Sequence, residues 1–258
     1  MSVNLTQPLS KLGFGAFHIG RIPGLKYVSQ GSPIPSEEEV TRLLHQVIDC
    51  GITLVDTAPA YGLSEERIGK SLHSRRMEFN LCSKVGENFN DGKSIFSFAQ
   101  KEMRNSLEQS LRRLNTEYLD ILLIHAPEND LSVLNETDAV ETMIQFKNEG
   151  KTRAIGFSGK SVEAQTRALE WSDVMMIEYS IADQSMEPLI RQTNKMNKCV
   201  LIKKALQSGH LPAKKSIQFL HCNSPVQDCI DCTVIGSKNA SRMNKNVKEF
   251  IRLGLLRD

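Results

Sequence analysis

The chain has 258 residues, of which 40% are hydrophobic and 24% are charged, and its formal net charge is +2. The charges are interspersed, so no basic block indicates a nucleic-acid or membrane-surface partner. The first residues lack the pattern of a signal peptide, and no apolar run approaches the roughly 18 residues of a membrane span. These features favour a cytoplasmic protein with neither nucleic acid nor membrane as a partner.

Short apolar runs alternate with amphipathic helical patterns along the whole chain. The apolar runs predict strands over residues 11–17, 52–56, 79–84, 119–125, 152–158, 173–180, 199–205 and 231–237. Helical spacing follows each of them, over residues 36–50, 64–72, 97–114, 135–150, 161–171, 186–197, 214–222 and 240–254. Ser36, Ser64 and Ser161 are predicted N-caps, and Gly51 and Gly150 are predicted helix ends.

Eight strands that are each followed by a helix are typical of a (β/α)8 TIM barrel, and we predict one such domain over residues 1–258. A doubly wound parallel sheet is the alternative, because the same alternation fits both folds. Five predicted strands end, on their C-terminal side, in a polar residue: Asp56, Lys84, His125, Ser158 and Lys203. In a barrel these ends meet at one rim, where barrel enzymes carry their active sites, so the pattern favours the barrel.

Four polar residues near these strand ends suit one kind of proton transfer. Tyr61 follows Asp56 by five residues, and a phenol with a pKa of about 10 donates a proton readily only when its anion is stabilised. Lys84 can stabilise that anion, and Asp56 can hold the ammonium in place. His125 can donate a hydrogen bond to the oxygen that is protonated. Such a site would protonate a carbonyl oxygen while a nicotinamide cofactor delivers hydride, because no side chain carries hydride.

Five segments of the chain also resemble motifs of the aldo-keto reductase family: VDTAPAYGLSEERIGKSL, SKVG, LDILLIHAP, AIGFSG and VIGSKNASRMNKNV. They occur in the order found in that family, and the similarity extends from LGFGAF almost to the C-terminus. The resemblance implies a (β/α)8 barrel that reduces aldehydes or ketones with NADPH. It also implies that the catalytic residues are Asp56, Tyr61, Lys84 and His125.

The resemblance further implies where the cofactor NADPH/NADP binds. Ser158 would hold the nicotinamide amide, while Gly15 and Phe17 in the first loop would touch cofactor and substrate, and Asp56 would also face the cofactor. Four residues match the cluster that holds the 2′-phosphate and adenine: Ser237, Lys238, Arg242 and Asn246. A hydroxyl, an ammonium and a guanidinium at a helix start are suited to binding an anion.

Two expected cofactor-binding residues depart from the family pattern at the nicotinamide. Met176 replaces the glutamine that usually holds the carboxamide, and Lys203 falls at or next to the aromatic residue that usually stacks on the ring. Gly159 also replaces the usual asparagine after Ser158. A cation beside the positively charged oxidised nicotinamide is unfavourable, so Lys203 is alternatively expected to reach the pyrophosphate or an anionic substrate.

Other functions remain open on the same sequence. A cofactor-binding sensor with little turnover is one, because a fold does not determine its function. A thiol–metal site built on Cys222, Cys229 and Cys232 has a weaker signal, and we predict no metal. For the leading interpretation we expect a small-molecule carbonyl substrate and a monomer or small homo-oligomer.

A long Gly- and Pro-rich loop, residues 18–36, follows the first predicted strand. It carries Arg21, Lys26 and Tyr27. Loops on a barrel rim commonly determine substrate choice, which is the expectation here. A mobile surface loop without such a role is the alternative.

Overall fold

The computed structural model describes residues 3–20, 34–90 and 92–256. The strands in these ranges are β1 (Leu12–Gly15), β2 (Leu54–Asp56), β3 (Asn80–Val85), β4 (Glu87–Asn90), β5 (Lys93–Phe96), β6 (Leu119–His125), β7 (Thr152–Ser158), β8 (Val174–Glu178), β9 (Cys199–Lys203) and β10 (Cys232–Gly236). Each of the eight predicted strands is present. Arg21, Lys26 and Tyr27 lie outside the described residues.

Eight of the strands form a closed barrel in the order β1-β10-β9-β8-β7-β6-β3-β2, and all neighbouring pairs are parallel. The predicted (β/α)8 fold is therefore confirmed, and the doubly wound sheet, which would be open, is excluded. Parallel strands of such a barrel are buried on both faces, so their sequences are continuously apolar. β6, which reads LDILLIH, is buried at every position before its last residue.

Residues that alternate along the strands fill the barrel interior: Leu54, Cys82, Ile121, Leu123, Ala154, Val174, Met176, Cys199, Leu201 and Cys232. Their neighbours in sequence point outward and form a second, larger apolar cluster with the helices. The two clusters together cover both faces of every barrel strand except β1, where Gly13 faces Leu54 and Cys232. The C-terminal ends of the strands remain as the place where polar side chains can gather.

The α-helices in the described ranges are α1 (Phe17–Gly20), α2 (Glu37–Asp49), α3 (Ser64–Leu72), α4 (Gln100–Leu114), α5 (Asp130–Glu136), α6 (Ala139–Asn148), α7 (Val162–Ala168), α8 (Glu187–Lys195), α9 (Ala213–Gln218) and α10 (Ala240–Arg252). Short 3₁₀ segments cover Pro59–Tyr61, His73–Glu78, Gln207–Gly209 and Gln227–Cys229, and a π-helical turn covers Phe219–Asn223. Among these described helices, none is long and apolar enough to cross a membrane.

The predicted helix starts are correct at two of three positions. The Ser36 side chain accepts a hydrogen bond from the Glu39 backbone N–H, and Ser161 caps α7 in the same way. Ser64, however, is the first residue of α3 and not its cap. Its hydroxyl instead donates to the carbonyl oxygen of Ala16 at 3.1 Å, a contact between segments that are far apart in sequence.

The sequence pattern did not predict the antiparallel hairpin of β4 and β5, which follows β3 directly. All four residues of β5 are exposed, so the segment lacks the apolar alternation that marks a half-buried strand. Gly86 permits the sharp turn out of β3, because its φ is +100° and a Cβ there would lie 2.2 Å from the ring of Phe98. The hairpin therefore begins immediately above the barrel rim.

Candidate active site

Side-chain alternation brings the polar residues at the strand ends to the inside of the barrel rim. Residues two apart on a strand face the same side. Each of the following lies two positions after a residue of the barrel interior: Asp56 after Leu54, Lys84 after Cys82, His125 after Leu123, and Lys203 after Leu201. The fold thus brings together at one rim the residues that the sequence predicted there.

Lys84 and Asp56 form a buried ion pair at this rim. Lys84 Nζ lies 2.5 Å from Asp56 Oδ1 and donates a second hydrogen bond to the Thr57 carbonyl oxygen at 2.8 Å. The two side chains are 1% and 7% exposed. Burial lowers the pKa of Lys84, but the charge of Asp56 and the neighbouring Tyr61 outweigh it, so the pKa is raised overall. Lys84 is therefore a fixed positive charge.

Tyr61 ends the 3₁₀ turn after β2 and lies against this pair. Lys84 Nζ is 5.0 Å from the centre of the phenol ring, and the rings of Phe17 and His125 meet it edge-on at 5.2 and 6.1 Å. Burial raises the pKa of Tyr61 to about 12, although the Lys84 charge lowers it. The net shift of the Tyr61 pKa is upward. The sequence argument, which considered only the Lys84 ammonium, predicted a stabilised phenolate anion. The phenol thus keeps its proton, as a general acid must before it reacts.

Glu87 is a residue of this site that the sequence analysis missed. Its Oε2 lies 2.6 Å from Nδ1 of His125, in a geometry that is not a linear hydrogen bond. Burial lowers the pKa of His125, and Glu87 opposes that shift. A usable signal was present, because Glu87 follows Lys84 by three residues, just beyond the end of a strand that reaches the rim.

Lys203 lies beside Ser158 on the inner side of the rim. Its Nζ donates to Ser158 Oγ at 3.1 Å and to the Gly159 carbonyl oxygen at 2.8 Å, and it lies 3.8 Å from Glu178 Oε1. Burial lowers the pKa of Lys203 to about 8, with Glu178 opposing the shift and other lysines adding to it. This ammonium therefore loses its proton far more easily than an exposed lysine does.

Met176 lies deeper in the barrel interior and is 2% exposed. A thioether is only a weak acceptor and donates no hydrogen bond, so Met176 offers little to a carboxamide. Gln165 on α7 donates to the carbonyl oxygens of both Met176 and Gly159 at 3.3 Å. The described polar side chains near this place include Ser158, Lys203 and Gln165, whose Oε1 is buried without a hydrogen-bond partner.

A basic cluster lies at the start of α10. Lys238 and Arg242 add to burial in lowering the pKa of His18, so both cations act on α1 electrostatically. The Arg242 backbone N–H donates to Asn239 Oδ1 at 3.1 Å, and Ser237 Oγ donates to the Asn239 carbonyl oxygen at 2.9 Å. The first turn of α10 carries no acidic residue. A helix start with two cations favours an anion.

The segment after β1 lies between the basic cluster at the start of α10 and the phenol ring of Tyr61. Phe17 packs on Tyr61, while His18, its neighbour, lies near Lys238 and Arg242. Gly15 pairs with Gly236, where a Cβ would lie 2.9 Å from the Gly15 carbonyl oxygen. Of the predicted cofactor residues, Asn246 lies one turn after Arg242 and is 4% exposed.

The cysteines of the alternative metal site differ in their surroundings. Cys222 is exposed, Cys229 is half-buried and Cys232 lies inside the barrel. Within residues 3–20, 34–90 and 92–256, no group of three or more His, Cys, Asp or Glu side chains is arranged to hold a metal ion.

Comparison with known proteins identifies relatives of much of the barrel. Aldo-keto reductase YhdN of Bacillus subtilis is 30% identical over 219 residues, which cover 81% of this chain and 62% of YhdN. Methylglyoxal reductase DkgA of Salmonella typhimurium is 30% identical over 160 residues, which cover 61% of this chain and 52% of DkgA. The crystal structure of PA4992 from Pseudomonas aeruginosa has a TM-score of 0.84 at 37% identity, covering 93% of this chain and 89% of that one.

The matched region spans between half and two thirds of the curated relatives, at 62% of YhdN and 52% of DkgA. The model of the Aldo/keto reductase family matches residues 11–253, which is nearly the whole chain. This match confirms the resemblance that the five motifs indicated. The chain belongs to the aldo/keto reductase family.

Proposed function

We propose that this chain reduces an aldehyde or ketone to an alcohol with hydride from NADPH, and that Tyr61 is the general acid. The observation that carries the proposal is the buried Asp56–Lys84 ion pair against the ring of a protonated Tyr61. Membership of the family supports it, since relatives include a methylglyoxal reductase. We further propose that residues 1–258 act as one barrel domain.

Each of the four residues has a distinct task in this proposal. Tyr61 gives its proton to the carbonyl oxygen, and negative charge develops on the phenol oxygen as the proton leaves. Lys84 stabilises that charge in a site from which water is largely excluded, where a fixed charge acts strongly. Asp56 holds the Lys84 ammonium in position and keeps it charged, and His125 orients the carbonyl oxygen. The bound cofactor supplies the hydride.

The residues at the rim fit a phosphorylated nicotinamide cofactor. The helix start of α10 and its cations suit the 2′-phosphate, because charge-assisted hydrogen bonds to phosphate are stronger than neutral ones. The residues that would hold the cofactor are Gly15, Phe17, Asp56, Ser158, Met176, Lys203, Ser237, Lys238, Arg242 and Asn246. At the nicotinamide end Ser158 and Lys203 would supply the polar contacts, with Met176 beneath them.

The proposal predicts that the chain binds NADPH more tightly than NADH and oxidises NADPH with at least one aldehyde or ketone. Fluorescence titration with both cofactors, followed by NADPH oxidation against a panel of carbonyl compounds, measures this. Arg242→Met is expected to weaken NADPH binding by about tenfold to a hundredfold, the value of one charged hydrogen bond, and to leave NADH binding unchanged. Arg252→Met, at the opposite end of α10, is the matched control.

The outcomes of this experiment separate the competing functions. Binding of NADPH without turnover on any carbonyl compound would favour the cofactor-binding sensor. A lack of NADPH binding would contradict the assignment of NADPH as the cofactor. Met176 and Lys203, which depart from the family pattern, would then be the residues that explain the lack of binding.

The affinity for NADP⁺ relative to NADPH is expected to rise as the pH passes through about 8, the pKa of Lys203. Below that pH the Lys203 ammonium repels the positively charged oxidised nicotinamide, and above it the neutral amine does not. Lys203→Met is expected to bind NADP⁺ more tightly at neutral pH and to lose this pH dependence. Titrations of both cofactor forms on either side of that pH measure the ratio.

Lys195→Met is the control for this prediction, because Lys195 is exposed at the end of α8, remote from the rim. An unchanged ratio in Lys203→Met would show that Lys203 does not face the nicotinamide. A raised KM for an anionic carbonyl substrate in the same variant would instead place Lys203 at the substrate.

A further inference from the structure

Both oxygens of the Glu87 carboxylate, at the start of the β4–β5 hairpin, have a polar neighbour. Glu87 is the first residue of β4 and is 8% exposed. Ser94 on β5 donates to its Oε1 at 2.5 Å, and its Oε2 lies 2.6 Å from His125 Nδ1. The hairpin thus positions a carboxylate against one chosen nitrogen of the histidine.

This contact determines where the imidazole proton resides. A carboxylate oxygen and an unprotonated ring nitrogen each present a lone pair, and two lone pairs repel, so a separation of 2.6 Å requires a proton on one of the two atoms. The Ser94 hydroxyl donates to the other oxygen, which favours the ionised carboxylate. The proton therefore belongs to Nδ1 of His125. A neutral imidazole carries only one such proton, which leaves Nε2 as an acceptor.

The solvent-exposed part of the His125 ring lies away from Glu87. The His125 side chain is 20% exposed, whereas its Nδ1 is buried. Its ring meets the Tyr61 ring edge-on. The nitrogen that remains for a substrate oxygen beside Tyr61 is therefore Nε2.

We propose that Glu87 is a positioning residue that holds the proton of His125 on Nδ1, so that Nε2 donates a hydrogen bond to the substrate oxygen only when the ring is fully protonated. This inference rests on the proposed carbonyl reduction. The sequence predicted that His125 can donate a hydrogen bond to the substrate oxygen, and in this proposal that donation depends on pH. Reduction then uses the imidazolium form, whose Nε2–H holds the substrate oxygen while Tyr61 delivers its proton to it.

The groups that face His125 determine how its charge responds to pH. Glu87 on β4 favours the imidazolium, while burial and the charges of Lys84 on β3 and Lys203 on β9 oppose it. Among the described residues, Tyr61 also meets the His125 ring, and burial raises its pKa to about 12, so it keeps its proton. The fall of the reduction rate as pH increases should therefore report His125, at about tenfold per pH unit above its pKa.

Glu87→Gln tests the proposal through the pH profile of kcat/KM for reduction. The substitution keeps the shape of the side chain and removes the only one of these influences that raises the pKa of His125. We expect the falling limb to move to lower pH by about one to three units, the usual effect of one adjacent charge. Glu117→Gln, an exposed carboxylate just before β6 at the opposite end of the barrel, is expected to leave the profile unchanged. An unshifted profile in Glu87→Gln would overturn the proposal.

A second measurement needs neither turnover nor a folded variant at position 87. Nitrogen chemical shifts of labelled histidine in the wild-type protein, recorded above the pKa of His125, distinguish the two neutral tautomers. The His125 signals, assigned by their loss in His125→Asn, are expected to show a proton on Nδ1 and a lone pair on Nε2. A proton on Nε2 would refute the proposal. A proton on Nδ1 in a protein that reduces no carbonyl compound would support the tautomer and reject only the proposed function.

Discussion

Tyr61→Phe is expected to lower kcat for carbonyl reduction by about 10²–10⁴-fold, the usual contribution of a general acid, and to leave NADPH binding unchanged. The phenol is the protonated group that lies against Lys84, and phenylalanine keeps the ring but has no proton to give. Stopped-flow or steady-state oxidation of NADPH measures the rate, and fluorescence titration measures the binding.

Tyr118→Phe is the matched control for this loss. The Tyr118 hydroxyl lies 3.2 Å from Thr6 Oγ1, just before β6 at the opposite end of the barrel from Tyr61. Removing this hydroxyl is expected to lower the free energy of unfolding by at most about 1 kcal/mol, the contribution of one hydrogen bond. The value of kcat is expected to stay unchanged. A Tyr61→Phe variant with wild-type kcat would mean that another group protonates the carbonyl, and His125 would then be the next to test.

Lys84→Met is expected to lower the free energy of unfolding by about 3–5 kcal/mol, because it leaves the Asp56 carboxylate buried without its partner. Lys84 is 1% exposed and Asp56 is 7% exposed, so solvent cannot replace the lost contact. Turnover should be lost together with stability, since the phenolate would form without the adjacent ammonium. Urea denaturation followed by circular dichroism measures the first effect.

Two variants show whether the lost stability of Lys84→Met comes from the unpaired charge of Asp56. Asp56→Leu combined with Lys84→Met removes both charges and is expected to recover most of the stability, because apolar replacement of a buried pair is often neutral. Lys70→Met removes one partner of the exposed Lys70–Glu37 pair, where the expected change is about 0–1 kcal/mol. Equal stability of Lys84→Met and Lys70→Met would contradict the buried-pair argument.

The strands and their polar ends were predictable because the signals are local. Parallel barrel strands are buried on both faces, so each appears in the sequence as an apolar run, and the run ends where the strand meets the rim. His125 follows such a run directly, as does Ser158. Ser64 shows the limit of local signals, because its hydroxyl bonds across the fold to Ala16 instead of capping α3.

The hairpin that carries Glu87 was not predictable in the same way. β5 is exposed at each of its four residues, so no burial pattern marks it, and only the closed barrel brings Glu87 to His125, 38 positions later in the sequence. The assignment of the proton on His125 therefore depends on a contact that no motif records.

The sequence by itself favoured the barrel and indicated the family and most of the residues that reach the rim, because periodicity, apolar runs and motif order are properties of neighbouring positions. The tertiary structure alone decided how those residues behave. The pKa of Tyr61 rises to about 12 and that of Lys203 falls to about 8, with burial as the largest cause of each shift. Burial and charge act through distances between residues that are remote in sequence, such as the 2.5 Å between Lys84 and Asp56, and those distances exist only in the folded chain.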